Sequence, residues 1–312
     1  MSNYLVTGGA GFIGSHVVER LLAEGHQVRV LDNFSTGRRE NLRRCLAEIE
    51  LFEGDLRSLH TVHQAVEGVD YVLHLGALPS VPRSVKTPVE AHAINSTGTL
   101  HVLLAAHEAG VRRLVFASSS SIYGDSPVLP KTEEMIPAPL SPYAASKIAG
   151  EHYCQVFDRL YGLETVMLRY FNVFGPRQDP SSPYSGVISL FITAALRGDP
   201  YTINGDGAQT RDLTFVQNVV QATIAASTAP GVAGEVMNVA CGIRTSILEL
   251  TRMLDRILGQ DTPVVHRPPR AGDVLHSLAD IGKARRLLDY KPAVDVLEGL
   301  NRTVAWYREH QG

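Results

Sequence analysis

Two side chains four residues apart, Tyr143 and Lys147 in Ser141-Pro142-Tyr143-Ala144-Ala145-Ser146-Lys147, have the types and spacing for acid–base chemistry. Ser141 as a cap and Pro142 in the first turn predict a helix start, which puts positions i and i+4 on one face. A phenol acting as a base near neutral pH needs its pKa of about 10 lowered by roughly 3 units, or about 4 kcal/mol. An ammonium ~4 Å away at an effective dielectric of ~20 supplies about 4 kcal/mol, so a lysine there is of the right size. Ser118-Ser119-Ser120-Ser121 directly follow a candidate strand, at the edge where open α/β sheets bind ligands. A hydroxyl there can hold a substrate oxygen whose proton the tyrosine takes. A surface helix beside a polar loop would present the same residues, so the rest of the sequence must decide.

Thr7-Gly8-Gly9-Ala10-Gly11-Phe12-Ile13-Gly14 follows the first apolar run and opens a helical pattern, fitting both GxGxxG and GxxGxxG. Such glycines allow a tight turn, close backbone approach and helix–strand packing, and the helix start offers unpaired N–H groups to a pyrophosphate. Asp32 ends the second strand 18 residues after Gly14, where a carboxylate accepts both adenosine ribose hydroxyls and disfavours a 2′-phosphate, pointing to NAD. Arg38 and Arg39 lie near enough in sequence to soften that argument. Asp55 is positioned either to receive the adenine amino group or to cap the next helix.

Apolar runs over 4–6, 28–31, 50–53, 71–75, 114–117 and 165–169 alternate with helix-length segments. Runs apolar at nearly every position suit strands buried on both faces, so the expectation is a Rossmann-type doubly wound parallel sheet. After about residue 175 the rhythm changes at Pro176, Pro180, Pro183 and Gly186. Beyond lie helices expected over 187–196, 217–227, 247–258, 281–288 and 296–308, a strand over 236–239, and a short strand ending at Asn204-Gly205-Asp206-Gly207. The 312 residues, 44% hydrophobic and 20% charged, suit a folded chain of two lobes. A net charge of −3 lacks the basic excess of a nucleic-acid binder. Three scattered cysteines fit a reducing cytoplasm, no apolar stretch approaches the ~20 residues of a membrane span, and twelve scattered histidines offer no metal-ligand spacing.

In this order these residues resemble the extended short-chain dehydrogenase/reductase family, specifically its nucleotide-sugar epimerases and dehydratases. His74-Leu75-Gly76-Ala77, Asn95, the segment Leu168-Arg169-Tyr170-Phe171-Asn172-Val173-Phe174-Gly175 and Arg211-Asp212 extend the resemblance over nearly the whole chain. It implies an NAD domain over 1–175 and a smaller α/β nucleotide-sugar lobe over 176–312, with some chain crossing between them. Cofactor contacts would come from Gly8, Gly11, Phe12, Ile13, Gly14, Asp32, Asn33, Ser35, Thr36, Gly37, Asp55 and Leu56. Leu75, Gly76, Ala77, Asn95, Tyr143, Lys147 and Tyr170 would add to them. Asn172 and Arg211 would hold the nucleotide diphosphate, and Arg270 and Asp273 the uridine. Ser80, Val81, Arg83, Ser119, Ser120, Val187, Ile188, Ile203 and Ser277 would line the rest of the substrate pocket.

Family dehydratases carry Asp-Glu, and decarboxylases Glu, directly after the catalytic hydroxyl residue. Here that residue is Ser119, followed by Ser120 and Ser121, which leaves 4-epimerisation of a UDP-hexose with Tyr143, Lys147 and Ser119 as the catalytic group. Ser277 stands where a tyrosine would exclude 2-acetamido sugars. Pro79 to Ser84 and Asp179 to Tyr184 resemble the branch acting on UDP-N-acetylglucosamine and UDP-N-acetylgalactosamine. Alternatives are a UDP-glucuronate 4-epimerase with Arg83 as the carboxylate's partner, and a non-catalytic NAD-binding sensor or scaffold. Apolar stripes on long helices expected over 89–109 and 143–161 would, in the family, pair two copies as a homodimer.

Overall fold

The computed structural model describes residues 1–179, 186–268 and 275–310. Its centre is a seven-stranded sheet built from β1 (Asn3–Thr7), β2 (Gln27–Asp32), β3 (Ile49–Glu53), β4 (Tyr71–His74), β5 (Arg113–Ser119), β6 (Glu164–Tyr170) and a last strand, Val236–Val239. Their spatial order is Val236–Val239, β6, β5, β4, β1, β2, β3, and every pairing is parallel. The order reverses direction between β1 and β4, which opens a crevice beyond their carboxyl ends. The seventh strand comes from beyond residue 175, so the N- and C-terminal parts of the chain are interleaved.

Alternation along each strand divides the core into two layers. Tyr4, Val6, Val115 and Ala117 face one layer with helices α1 (Phe12–Ala23) and Val216–Thr228, whereas Leu5, Leu114 and Phe116 face the other with Leu59–Val66 and Gly98–Glu108. The C-terminal part adds helices Val187–Arg197, Ile247–Leu258, Gly282–Leu288 and Val296–His310, and a parallel pair of Tyr201–Asn204 with Val264–Arg267.

The two long helices expected over 89–109 and 143–161 are interrupted. The first runs as Pro88–His92, a π turn at Ala93–Thr97, then Gly98–Glu108; the second as Pro142–Val156, then a π turn at Phe157–Tyr161. In the first turn Thr99 Oγ1 donates to the Asn95 carbonyl at 2.6 Å. One inserted residue widens the coil locally without disturbing the apolar stripe, so periodicity does not announce it.

The Thr99 bond fixes the direction of a buried relay. With its proton given to Asn95, Thr99 must accept from His74 Nε2 (3.0 Å), so His74 Nδ1 accepts from Thr7 Oγ1 (2.7 Å), which in turn accepts from the Gly76 amide (3.1 Å). Burial lowers the His74 pKa to about 3, with the Lys147 charge contributing in the same direction, and the ring is neutral. Because the unfolded value is about 6.5, its share of stability is whole above pH 6.5 and is lost as pH falls toward 3, at about 1.4 kcal/mol per pH unit. Urea unfolding between pH 7 and pH 4 should show this slope flattened in His74→Asn; the same slope in both proteins would refute the assignment.

Candidate active site

At the crevice a cleft of about 680 Å³ runs from the glycine turn to Tyr143 and Lys147. Gly8 has φ +69°, and a Cβ there would lie 2.8 Å from Cα of Gly76; at Gly14 it would lie 2.1 Å from the Gly8 carbonyl oxygen. Helix α1 begins at Gly11 with no side-chain cap and no acid in its first turn. Its first amides are left for an anion, as a pyrophosphate requires. Phe12, Ile13, Ser35, Thr36, Leu56, Leu75 and Ala77 line the same cleft.

Asp32 is buried at the end of β2, its carboxylate accepting from the amides of Ala10 (2.9 Å) and Phe34 (2.8 Å), while burial pushes its pKa up. Gly37 faces it so closely that a Cβ would sit 2.9 Å from both carboxylate oxygens. The two nearby arginines are engaged: Arg38 pairs with Asp179 at 2.6 Å, and Arg39 pairs with Glu53 and lies over the Phe34 ring. Asp55 is bound by Arg57, which holds its carboxyl well below the usual range, and by Asn33 Nδ2 at 2.7 Å. It does not cap the following helix; Ser58 does. These residues fit an adenosine with free ribose hydroxyls.

Tyr143 opens its helix behind Ser141, whose hydroxyl accepts from the Ala144 amide. Its phenol faces the neighbourhood of Ser119, the last residue of β5, whose hydroxyl favours the ionised phenol. Lys147 lies one turn on, fully inside, with Nζ donating to the Ala117 carbonyl at 2.8 Å and standing 5.9 Å from the Tyr143 ring centre. Burial lowers its pKa to about 8 and raises that of Tyr143, with the Ser119 hydroxyl only opposing the latter. The expected help from the Lys147 charge is therefore opposed by burial in the empty cleft. Desolvation disfavours both charged forms, and the ammonium is turned to a carbonyl rather than to the phenol.

Several supports went unread in the sequence. The Tyr143 amide donates to Ser84 Oγ at 3.0 Å, and its carbonyl accepts from Ser146 Oγ at 2.7 Å. Asn95, expected at the cofactor, is buried off the cleft wall. It accepts from the Leu78 amide at 2.7 Å and donates to Ser146 Oγ at 3.0 Å, so it ties the loop after β4 to the Tyr143 helix. Glu151, one turn past Lys147, binds Ser118 and pairs with Arg169 at 2.8 Å, both side chains only 5% exposed. Its helical spacing from Tyr143 and Lys147 was the available signal. Tyr170 borders the cleft with its hydroxyl tied to Thr223 at 2.7 Å.

Asn172 (φ +36°) donates to the Asp212 carbonyl at 3.1 Å and reaches Ser277 Oγ at 3.5 Å. Arg211 Nη1 donates to the carbonyls of Thr210 (2.9 Å) and Leu275 (3.2 Å). Ser80 and Arg83 border the cleft, Ser120 starts a 3-10 turn, Val81 is exposed, and Val187 begins its helix half-buried. Ile188 and Ile203 belong to the hydrophobic core instead of a pocket wall, because the alternation of Tyr201–Asn204 turns Ile203 inward and Ile188 lies on the inner face of its helix. Arg270, Asp273 and the segment 180–185 lie outside the described residues.

A doubly wound sheet with a glycine-lined dinucleotide cleft, and a tyrosine, lysine and serine at its far end, defines a nucleotide-dependent α/β enzyme of the short-chain dehydrogenase/reductase type. The model of the NAD dependent epimerase/dehydratase family matches residues 4–240. The chain belongs to that family. It is 41% identical to the UDP-glucose 4-epimerase of Mycolicibacterium smegmatis, over 97% of this chain and 98% of that protein. Among solved structures it resembles UDP-N-acetylglucosamine 4-epimerase from Methanobrevibacter ruminantium in complex with UDP-N-acetylmuramic acid (TM-score 0.95, 39% identity, 99% of this chain and 98% of the other). It also resembles UDP-glucose 4-epimerase of Thermus thermophilus in complex with NAD (TM-score 0.90, 39% identity, 99% of each chain).

Proposed function

We propose that this chain is an NAD-dependent 4-epimerase of UDP-hexoses that works through a 4-keto sugar. The observation that carries the reading is the placing of Tyr143 and the buried Lys147 one helical turn apart at the cleft, beside the end of the strand bearing Ser119, where no acid follows Ser119. The glycine turn, Asp32 and Lys147 would hold NAD, which would supply a hydride acceptor, and later donor, for the sugar C4. Tyr143 takes the proton of the 4-hydroxyl, and Ser119 hydrogen-bonds the same oxygen. After the sugar has turned, Tyr143 returns the proton as the opposite face is reduced. Asn172 and Arg211 would keep the diphosphate in place meanwhile. Ser121, where a dehydratase has its second acid, is a serine whose Oγ is buried without a hydrogen-bond partner in the described residues, which supports epimerisation over elimination.

Arg83 is paired with Glu90 at 2.8 Å, and Thr87 also binds that carboxylate, which counts against a uronate as substrate. Ser277 is small and beside Asn172, which favours acetamido sugars, UDP-N-acetylglucosamine and UDP-N-acetylgalactosamine, with UDP-glucose and UDP-galactose as further substrates. The Methanobrevibacter relative's complex supports the wider pocket. The exposed apolar residues Val85, Val89, Tyr153, Val156, Leu160 and Tyr161, on neighbouring helices and the π turn, support a homodimer.

With the NAD-loaded protein and a panel of UDP-sugars, NMR should resolve formation of the C4 epimer. Tyr143→Phe should lower kcat by about 10²- to 10⁴-fold while retaining NAD; an unchanged rate, or no epimer from any UDP-hexose, would sink the reading. Ser277→Tyr should suppress turnover of the acetamido pair at least about tenfold relative to UDP-glucose, and equal loss on both would remove the gate. Light scattering should give about twice the 33.9 kDa chain mass; a monomer would dispose of the homodimer.

A further inference from the structure

We infer that Asp212 is a positioning residue for substrate: its buried carboxylate clamps the stretches around Gly242 and Ala279 to its own strand, whose backbone carries Arg211 and holds Asn172 and Ser277, and so sets affinity for the sugar nucleotide, not the rate of chemistry. The inference rests on the proposed UDP-hexose reading and extends it to a residue that contacts neither sugar nor cofactor in that reading.

Asp212 is fully buried. Oδ1 accepts from the Cys241 amide at 3.0 Å, and Oδ2 from the amides of Gly242 at 3.0 Å and Ala279 at 3.1 Å. These donors come from two separate stretches, the turn after the seventh strand and the segment carrying Ser277. The residue's own carbonyl accepts from Asn172 Nδ2, so a third stretch, the exit of β6, is held by the same residue. Arg211 is its neighbour in sequence, and the Thr210 carbonyl accepts from the Ser277 amide at 3.1 Å. The Thr210–Arg211 strand also pairs antiparallel with Thr245–Ser246.

A carboxylate facing converging backbone amides is an acceptor-only hub. Hydrogen bonds to a charged group are worth more than neutral ones, and unsatisfied buried donors are costly. Replacing the carboxylate by an amide keeps the shape but sets an NH₂ against at least one backbone N–H. The stretches then lose their common anchor, and the three side chains proposed to grip the substrate lose their mutual register. Tyr143 and Lys147 are anchored separately through Ser84, Ser146 and Ala117, and Ser119 Oγ accepts from the Ser121 amide, so the reacting corner is left intact.

Calorimetric titration of UDP into NAD-loaded wild type and Asp212→Asn, with steady-state kinetics on UDP-hexose, tests this. UDP Kd and substrate KM should both rise about 10- to 100-fold in the variant, with kcat at saturation within about twofold and bound NAD unchanged. Unchanged KM, or a fall in kcat alone, overturns the inference. A wild type that fails to bind UDP sinks the reading of the site and this inference with it, whereas normal wild-type binding with unaltered Asp212→Asn affinity sinks the inference alone. Should the variant not fold, hydrogen exchange on the NAD-loaded wild type decides. UDP should slow exchange at the Cys241, Gly242 and Ala279 amides, and exchange indifferent to UDP overturns the assignment.

Discussion

Lys147 carries its ammonium where water cannot solvate it, compensated by the Ala117 carbonyl at 2.8 Å and the face of Phe116, 4.9 Å from Nζ. Much of the surrounding architecture answers to that burial. β5 must end at the serines so that Ala117 can turn its carbonyl inward. The helix bearing Lys147 must be seated tightly on the sheet, and Gly150 achieves this: a Cβ there would lie 2.4 Å from the Phe116 ring. One turn further on, the Glu151–Arg169 pair satisfies its own charges and engages Ser118 and Tyr123. Breaking a pair of this kind leaves an uncompensated buried charge and costs about 3–5 kcal/mol.

The same desolvation makes the chemistry conditional on what enters the cleft. With the Tyr143 pKa raised by burial and the Lys147 ammonium turned to the Ala117 carbonyl, the phenol keeps its proton in the empty cleft. The Coulomb estimate made from spacing treated the lysine as a free charge about 4 Å away and left out the cost of burying it. A site so arranged disfavours an ionised phenol when empty, which accords with the proposed route through a 4-keto sugar.

What the sequence disclosed follows from the range of each interaction. Strands buried on both faces read as apolar runs, and the strand Val236–Val239 and helix Ile247–Leu258 match their expected limits. Tyr143, Lys147 and the glycine turn are local patterns, so they could be read as well. The Glu151–Arg169 pair, the Ser84 and Ser146 supports and the Asp212 hub join residues 18 to 67 positions apart or act through backbone groups, which no spacing reveals. The packing of Ile188 and Ile203 into the core was equally out of reach, since the sequence alone does not fix which way a side chain turns.

The strand Val236–Val239 pairs with Met167 to Tyr170 on β6, and Tyr170 leans on Thr223. During synthesis on a ribosome, β6 therefore remains an open edge until the chain has grown some seventy residues past it. The nucleotide floor can take shape early, but its outer border is sealed only once Val236–Val239 has emerged, so a chain cut short before that strand would expose a raw strand edge prone to joining others.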